Sequence, residues 1–341
     1  MNALTADRIS RLNEYLNREG HIVILTHTNP DGDAIGSSSA LLHYLRDARR
    51  KDVSVILPKS GPSYLNFISS DKCILSAEKD PGEAERAIDS CSLLIGMDFN
   101  GFNRVSTLEA VSRRCKAPKI LIDHHLNPAE EEFDLCFSET GISSASELLY
   151  WILMALPDID GDASKLPSEA LVSLMTGMTT DTNNFANSVF PSTLRMAGDL
   201  LDAGVDRDRI ISLLYNGYRE NRVRAIATLL KDHLRILDNG TAYVVAYRDL
   251  LERFDIREGE LEGLVNIPLS IGKVKMSIFL REDEGYFRVS IRSKKGTSAN
   301  NMAREHFNGG GHEQAAGGRL YFPQDIKSPL DAEEYIKKVT G

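Results

Sequence analysis

The residue types best suited to metal-assisted chemistry fall in four short segments of the first 181 positions. Thr26-His27-Thr28-Asn29-Pro30-Asp31-Gly32-Asp33 places one imidazole and two carboxylates within eight residues. Asp98 directly follows the apolar run SLLIGM, and Asp123-His124-His125 directly follows KILI. Asp181 lies in Gly177-Met178-Thr179-Thr180-Asp181-Thr182, after an apolar helical stretch. Each segment alone has a bland explanation. Pro-Asp-Gly is a common turn with an Asp helix cap, an Asp at a strand end can bind a ribose, and adjacent histidines occur in surface loops. Asp181 can simply be helix C-terminal polarity.

Together the segments supply six oxygen and imidazole donors: His27, Asp31, Asp33, Asp98, His124 and Asp181. Six such donors hold two divalent cations with positions open for water and substrate, and Asp98, from a central strand, is the natural bridge. Paired cations about 3.5–4 Å apart activate a bridging water and stabilise both oxygens of an in-line displacement at phosphorus. Oxygen-rich ligation points to Mg or Mn, and the imidazoles tilt the choice towards Mn. The four cysteines, Cys73, Cys91, Cys115 and Cys136, are scattered without a CxxC pair, which argues against structural zinc and a disulfide frame. No G-x-G-x-x-G and no P-loop pattern is present, which weakens dinucleotide and P-loop readings.

Elements must bring these segments together. His21–Thr26, Val53–Leu57, Ser92–Met97 and Lys119–Ile122 read as strands buried on both faces, with helical patterns around Ala34–Arg46 and Arg104–Arg114 between them. That alternation predicts an α/β fold built on a parallel sheet, whose carboxyl edge collects ligands. Further helices are expected over Ser143–Leu156 and Pro167–Thr180. From Pro191 to about residue 235 a helical region suits a connector. The last third changes character: Thr241–Tyr247 alternates like a strand, Val274–Leu280 and Tyr286–Ile291 flank a hairpin turn, and Ser298–Phe307 reads as a helix. The expected organisation is a catalytic domain over 1–190, a helical linker over 191–235 and a smaller mixed α+β domain over 236–341.

At 341 residues two domains are expected. Net charge is −9, which argues against a broad basic face for long duplex nucleic acid. Residues 271–304 nevertheless hold eight Lys/Arg against three acids, a local +5 that leaves −14 elsewhere. Such a strip suits a small anionic substrate; a solvated charged strand edge explains it as well when it is viewed alone. No apolar run is long enough for a membrane span and the N-terminus lacks a signal-peptide core, so a cytoplasmic location is expected.

In type, order and spacing, His27-x-x-x-Asp31-x-Asp33, Asp98, Asp123-His124-His125 and Asp181 resemble the four motifs of the DHH phosphoesterase family. Phe287 to Ser293, then Asn300, and Gly309-Gly310-Gly311-His312 with Ala315-Ala316-Gly317 resemble its DHH-associated C-terminal domain. The likeness spans both expected domains and is greatest to the nanoRNase branch, whose members degrade RNA of a few nucleotides to mononucleotides and remove the 3′-phosphate of 3′-phosphoadenosine 5′-phosphate. The resemblance implies one Mn on His27, Asp31 and Asp98, and a second on Asp33, Asp98, His124 and Asp181. It makes His125 the catalytic contact to the scissile phosphate, and Asp123 the group that orients a histidine ligand. Arg292, Ser293 and His312 would grip the substrate, with Gly310 and Gly311 allowing close backbone approach. Asn183 departs from the glycine of many relatives, which is expected to alter the local turn.

Rival readings within hydrolases are an exopolyphosphatase or pyrophosphatase, because Arg288, Arg292 and Lys294 suit polyphosphate too, and a RecJ-like exonuclease, for whose additional domain the chain has no room. Membrane-bound cyclic-dinucleotide phosphodiesterases require transmembrane segments. A nucleotide-binding regulator with a decayed site would lack at least one of the six ligands. A homodimer stays open.

Overall fold

The computed structural model describes residues 3–341, which divide into two compact units, one ending at Gly217 and one beginning at Tyr218.

The first unit is an α/β/α sandwich. Its strands are β1 (Ile22–Leu25), β2 (Val53–Leu57), β3 (Ile74–Ser76), β4 (Leu93–Met97), β5 (Lys119–Asp123) and β6 (Leu135–Ser138), all parallel in the order β3-β2-β1-β4-β5-β6. The apolar runs form these strands because both faces are covered. Ile22, Ile24, Ile95, Met97 and Ile122 pack into one cluster with Leu12, Leu42, Leu149 and Leu174 from helices. Val23, Leu25, Leu94 and Leu121 pack into another with Ala84, Ile88 and Val111. Each such side chain, fully buried, contributes roughly 1.5–3 kcal/mol, so the strand ends are held rigidly. The chain order reverses between β1 and β4, the point at which open α/β sheets take ligands beyond the carboxyl ends of their strands.

Strands β3 and β6 carry no sequence signal strong enough to announce them: β3 is three part-buried residues and β6 alternates. The expected helix over Arg104–Arg114 is realised only as two 3-10 turns and a short helix, Glu109–Arg114.

The expected connector 191–235 is divided between the units. Helices Pro191–Asp202 and Arg207–Tyr215 put Met196, Leu200, Ile210 and Leu214 into the first unit's core, whereas Glu220–Thr228 belongs to the second. The apolar stripe of the first two helices is what draws them in.

The second unit is a six-stranded mixed sheet, β7 (Leu234–Ile236), β8 (Thr241–Ala246), β9 (Met276–Asp283), β10 (Tyr286–Ser293), β11 (Gly310–Gly311) and β12 (Ala315–Tyr321), in the order β11-β12-β10-β9-β8-β7. Only β8 and β9 run parallel. Helices Ala299–His306 and Ala332–Thr340 cover one face through Ala303, Phe307 and Ile336, packed on Phe287, Val289 and Ile291. Leu250, Leu261 and Leu264 cover the other face against Val244 and Phe279.

Candidate metal and active site

Six of the eight expected residues of the first unit come from the carboxyl ends of three adjacent strands. His27 follows β1 at a remove of one residue, and the turn after it starts helix Gly32–His43, with Asp31 as N-cap accepting the amides of Asp33 and Ala34, each at 3.1 Å. Asp98 follows β4 in a left-handed conformation (φ +62°), which Asp tolerates better than a bulky side chain. That turn sets its buried carboxylate between His27 and His124. Asp123 ends β5 and His124 and His125 leave it. The remaining two residues ride on helices. Asp33 lies in the first turn of Gly32–His43, and Asp181 ends helix Ser168–Asp181.

The distances define two groups that share one carboxylate. Asp98 Oδ2 lies 3.6 Å from His27 Nε2, which is 3.9 Å from Asp31 Oδ1. Asp98 Oδ1 lies 3.5 Å from His124 Nε2, which is 3.8 Å from Asp33 Oδ2 and 3.6 Å from Asp181 Oδ2. Within each triad, His27–Asp31–Asp98 and Asp33–His124–Asp181, the ligand atoms lie within 4.8 Å of one another, a span that fits one cation. The residues fit two divalent cations on a second ground. Asp98 Oδ1 is buried with no hydrogen-bond donor, an arrangement that costs about 1–3 kcal/mol or more for a charged group unless a cation meets it.

The electrostatics carry the same demand for positive charge. Burial alone would depress the His27 imidazole, yet the Asp31 and Asp98 carboxylates raise its pKa to about 10. His124 is likewise pushed well up, against its burial, by Asp98, Asp181 and Asp33. Asp33 is pushed well above the usual carboxylate range by burial and then by Asp98 and Asp181. Asp181 is pushed up to about 6 by burial and by Asp31 and Asp98, against the pull of His124. Asp98 resists its own burial and stays well below the ordinary range, because His124 and His27 surround it. Crowded carboxylates of this kind are stable together only with compensating cations.

Asp123 is fully buried and orients His125. Its Oδ1 lies 2.7 Å from His125 Nδ1 and its Oδ2 accepts the His125 amide at 3.1 Å. The imidazole it holds is therefore the one expected to contact phosphate, not a metal-ligand imidazole as the resemblance suggested.

Three glycines to which the motif reading gave no packing role set the spacing. A Cβ on Gly36 would lie 2.7 Å from the Ser173 carbonyl oxygen, one on Gly177 would overlap Ser146 Oγ and come 3.0 Å from Asp33 Oδ1, and one on Gly32 would overlap Thr180. Glycine inside a helix costs about 1 kcal/mol against alanine, so Gly36 and Gly177 inside helical patterns were the available sign of a close approach. Asn183 adopts φ +47°, the left-handed region that glycine fills most easily and asparagine tolerates.

In the second unit, Arg288, Ser290 and Arg292 are part-buried on β10 and alternate with buried Phe287, Val289, Ile291 and Ser293. Arg292 Nη1 donates to the Ile291 carbonyl at 3.0 Å, and Ser293 Oγ donates to the Thr297 carbonyl at 2.6 Å, which ties down the turn before helix Ala299–His306. Gly310 and Gly311 form β11, with the Gly311 amide donating to Asn300 Oδ1 at 3.0 Å and the His312 amide to the Ala315 carbonyl at 2.8 Å. Gly311 has φ +153°, and its Cβ would meet the Ala315 carbonyl at 2.6 Å, so β12 itself requires glycine there; at Gly310 there is room. The basic strip is less basic than its sequence. Glu258, outside it, pairs with both Arg281 (2.6 Å) and Arg288, and Lys294 Nζ donates to the Ile271 carbonyl at 3.1 Å.

Residues 21–178 match the DHH family, N-terminal domain, and residues 240–338 match the DHHA1 domain. Among curated relatives, the chain is 31% identical over 309 residues to the "Bifunctional oligoribonuclease and PAP phosphatase NrnA" of Thermus thermophilus, covering 89% of this chain and 85% of that protein. It is 28% identical to the protein of the same name from Bacillus subtilis, covering 88% and 89%. Among solved structures, an exopolyphosphatase-related protein from Bacteroides fragilis superposes with a TM-score of 0.90 at 33% identity, over 98% of this chain and 97% of that one. No helix among the described residues is long and apolar enough to cross a membrane.

Proposed function

The chain belongs to the DHH family and is a phosphoester hydrolase with a DHHA1 domain, and from that footing we propose that it hydrolyses short oligoribonucleotides to nucleoside monophosphates and removes the 3′-phosphate of 3′-phosphoadenosine 5′-phosphate. The observation that carries the reading is the division of one buried carboxylate: Asp98 turns Oδ2 to the His27 group and Oδ1 to the His124 group. His27, Asp31 and Asp98 would hold one divalent cation and Asp33, Asp98, His124 and Asp181 the other, with Mn favoured over Mg by the two imidazoles. Such cations, when bound, supply Lewis-acid charge and a water of lowered pKa at the scissile phosphate.

His125 then has the chain's own catalytic task. Asp123 fixes its ring, and the placed imidazole is the proposed partner of the phosphate oxygen or the leaving oxygen. In the second unit Arg292, Ser293 and His312, with Gly310 and Gly311, are the proposed substrate-binding set; the Arg292 guanidinium suits a phosphate fork. The substrates are short RNA and 3′-phosphoadenosine 5′-phosphate, with no long duplex and no membrane, in the cytoplasm. A polyphosphate substrate is the second reading, favoured by the description of the Bacteroides fragilis neighbour.

The experiment is hydrolysis by the full chain in Mn buffer of a dinucleotide, a pentanucleotide, a 24-mer, 3′-phosphoadenosine 5′-phosphate and tripolyphosphate. Fast turnover of the dinucleotide and of 3′-phosphoadenosine 5′-phosphate, falling steeply between about five and twenty nucleotides, is expected, since a strip this short neutralises few phosphates. Equal rates on the dinucleotide and the 24-mer overturn the short-RNA reading, and turnover of tripolyphosphate alone puts the second reading in its place.

A further inference from the structure

Asp33 is held by backbone amides from another element. Its Oδ2 accepts from Ala145 N at 2.6 Å and its Oδ1 from Ser146 N at 2.9 Å, the first two residues of helix Ala145–Ala155. This carboxylate can therefore face the His124 group only if the turn before that helix is in place. Glu147 builds the turn. Its own amide donates to Ser144 Oγ at 3.0 Å, and its Oε2 accepts the Ser143 amide at 3.0 Å, the Ser143 hydroxyl, and Thr193 Oγ1 at 2.7 Å from helix Pro191–Asp202. Trp151 Nε1 donates to Oε1 at 3.3 Å. Every partner is a donor, the set that suits a carboxylate and not an amide. Glu147 is fully buried and no cationic side chain pairs with it among the described residues. Helix capping at a surface end asks for none of this: an exposed cap leaves its glutamate in water.

We propose that Glu147 is a positioning residue for the metal centre, tying the Ser143–Ser146 turn to helix Pro191–Asp202 so that two amides fix the Asp33 carboxylate facing His124. The inference rests on the reading of Asp33 as a cation ligand. Glu147 touches neither cation nor substrate, and it acts through Asp33 alone. Groups that orient metal ligands from behind typically govern metal affinity or activity by 10–100-fold.

The test is calorimetric titration of the full-length wild type, Glu147→Ala, Glu147→Gln and Thr193→Val with Mn, beside thermal unfolding and the Mn dependence of dinucleotide hydrolysis. Glu147→Ala is expected to weaken one of two Mn sites about 10–100-fold, leave the other nearly unchanged, and recover rate as Mn is raised. Glu147→Gln keeps an oxygen for Ser143 and Thr193 but turns its amide on Trp151, so it should weaken that site several-fold less. A purely structural glutamate would lower the unfolding temperature without shifting the Mn dependence. Wild-type Mn affinity in a folded Glu147→Ala overturns the inference; should that variant not fold, unshifted Mn dependence in both Glu147→Gln and Thr193→Val overturns it. Wild-type chain that takes up no Mn overturns the metal reading itself, and with it this one.

Discussion

Gly36 and Gly177 stand against each other where helices Gly32–His43 and Ser168–Asp181 cross, so closely that a Cβ on Gly36 would lie 2.8 Å from the Gly177 Cα. This approach is what lets Asp33, three residues before Gly36, and Asp181, four residues after Gly177, meet the same His124 nitrogen. A methyl group at Gly36 would run into the Ser173 and Gly177 backbone, and one at Gly177 would overlap Ser146 Oγ and crowd the Asp33 carboxylate. Gly177→Ala should cost about 1–3 kcal/mol of stability by overpacking and weaken Mn at the Asp33–His124–Asp181 group. Chemical denaturation and Mn titration check both; unchanged Mn affinity would separate the crossing from the site.

Asp98 is the second test. Asp98→Asn keeps a residue that tolerates φ +62° and removes the charge, so the fold should persist while dinucleotide turnover falls below a tenth of wild type. Turnover rates with circular dichroism decide it, and higher residual activity in Mn would remove Asp98 from the centre of the mechanism.

His125→Ala should retain two equivalents of Mn by elemental analysis and lose about 10²–10⁴ in kcat, the range for a positioned proton donor. Asp123→Asn should lose part of the same factor, because the ring is no longer held at Nδ1 by a carboxylate. Loss of an Mn equivalent in His125→Ala would make His125 a ligand.

The metal-free chain should respond to pH with a definite sign. His27 has its pKa raised from 6.5 to about 10, so it binds more protons folded than unfolded between those values. Its contribution is fully present below pH about 6.5 and is lost as pH rises through about 10. Asp181, raised to about 6, loses its contribution earlier, as pH rises from 3.8 through about 6. Metal-free protein should therefore become less stable between pH 7 and 10, and Mn binding at pH 7 should release protons from the imidazoles. Unfolding midpoints across pH, and calorimetry in buffers of different ionisation enthalpy, read the two effects; Mn uptake without proton release would contradict the raised His27.

Arg292→Ala removes a guanidinium from β10 and leaves the six expected cation ligands in place. KM for dinucleotides should rise at least about tenfold, as for loss of a charged hydrogen-bonding partner, with Mn content unchanged. Steady-state kinetics and elemental analysis check it, and an unchanged KM would take Arg292 out of the substrate site.

The sequence by itself determined the parallel sheet and most of the donors at its edge, because both are local facts. IVIL, LLIGM and KILI can only be strands buried on two faces, and the residue that leaves such a strand at its carboxyl end must lie in the crevice. His27, Asp98 and His124 were legible for that reason. The tertiary structure alone decided how they are shared. Which oxygen of Asp98 faces which imidazole follows from a left-handed turn, and the meeting of Asp33 with Asp181 follows from a helix crossing between residues far apart in the chain. The pairing of Asp123 with His125, and the assignment of helices Pro191–Asp202 and Arg207–Tyr215 to the first core, were equally out of reach of spacing. Glu258 neutralises Arg281 and Arg288 across more than twenty residues of chain. Periodicity reports which face of an element is apolar; it does not report which distant side chain will be packed against it, and the charge balance and ligand geometry of this protein depend on that choice.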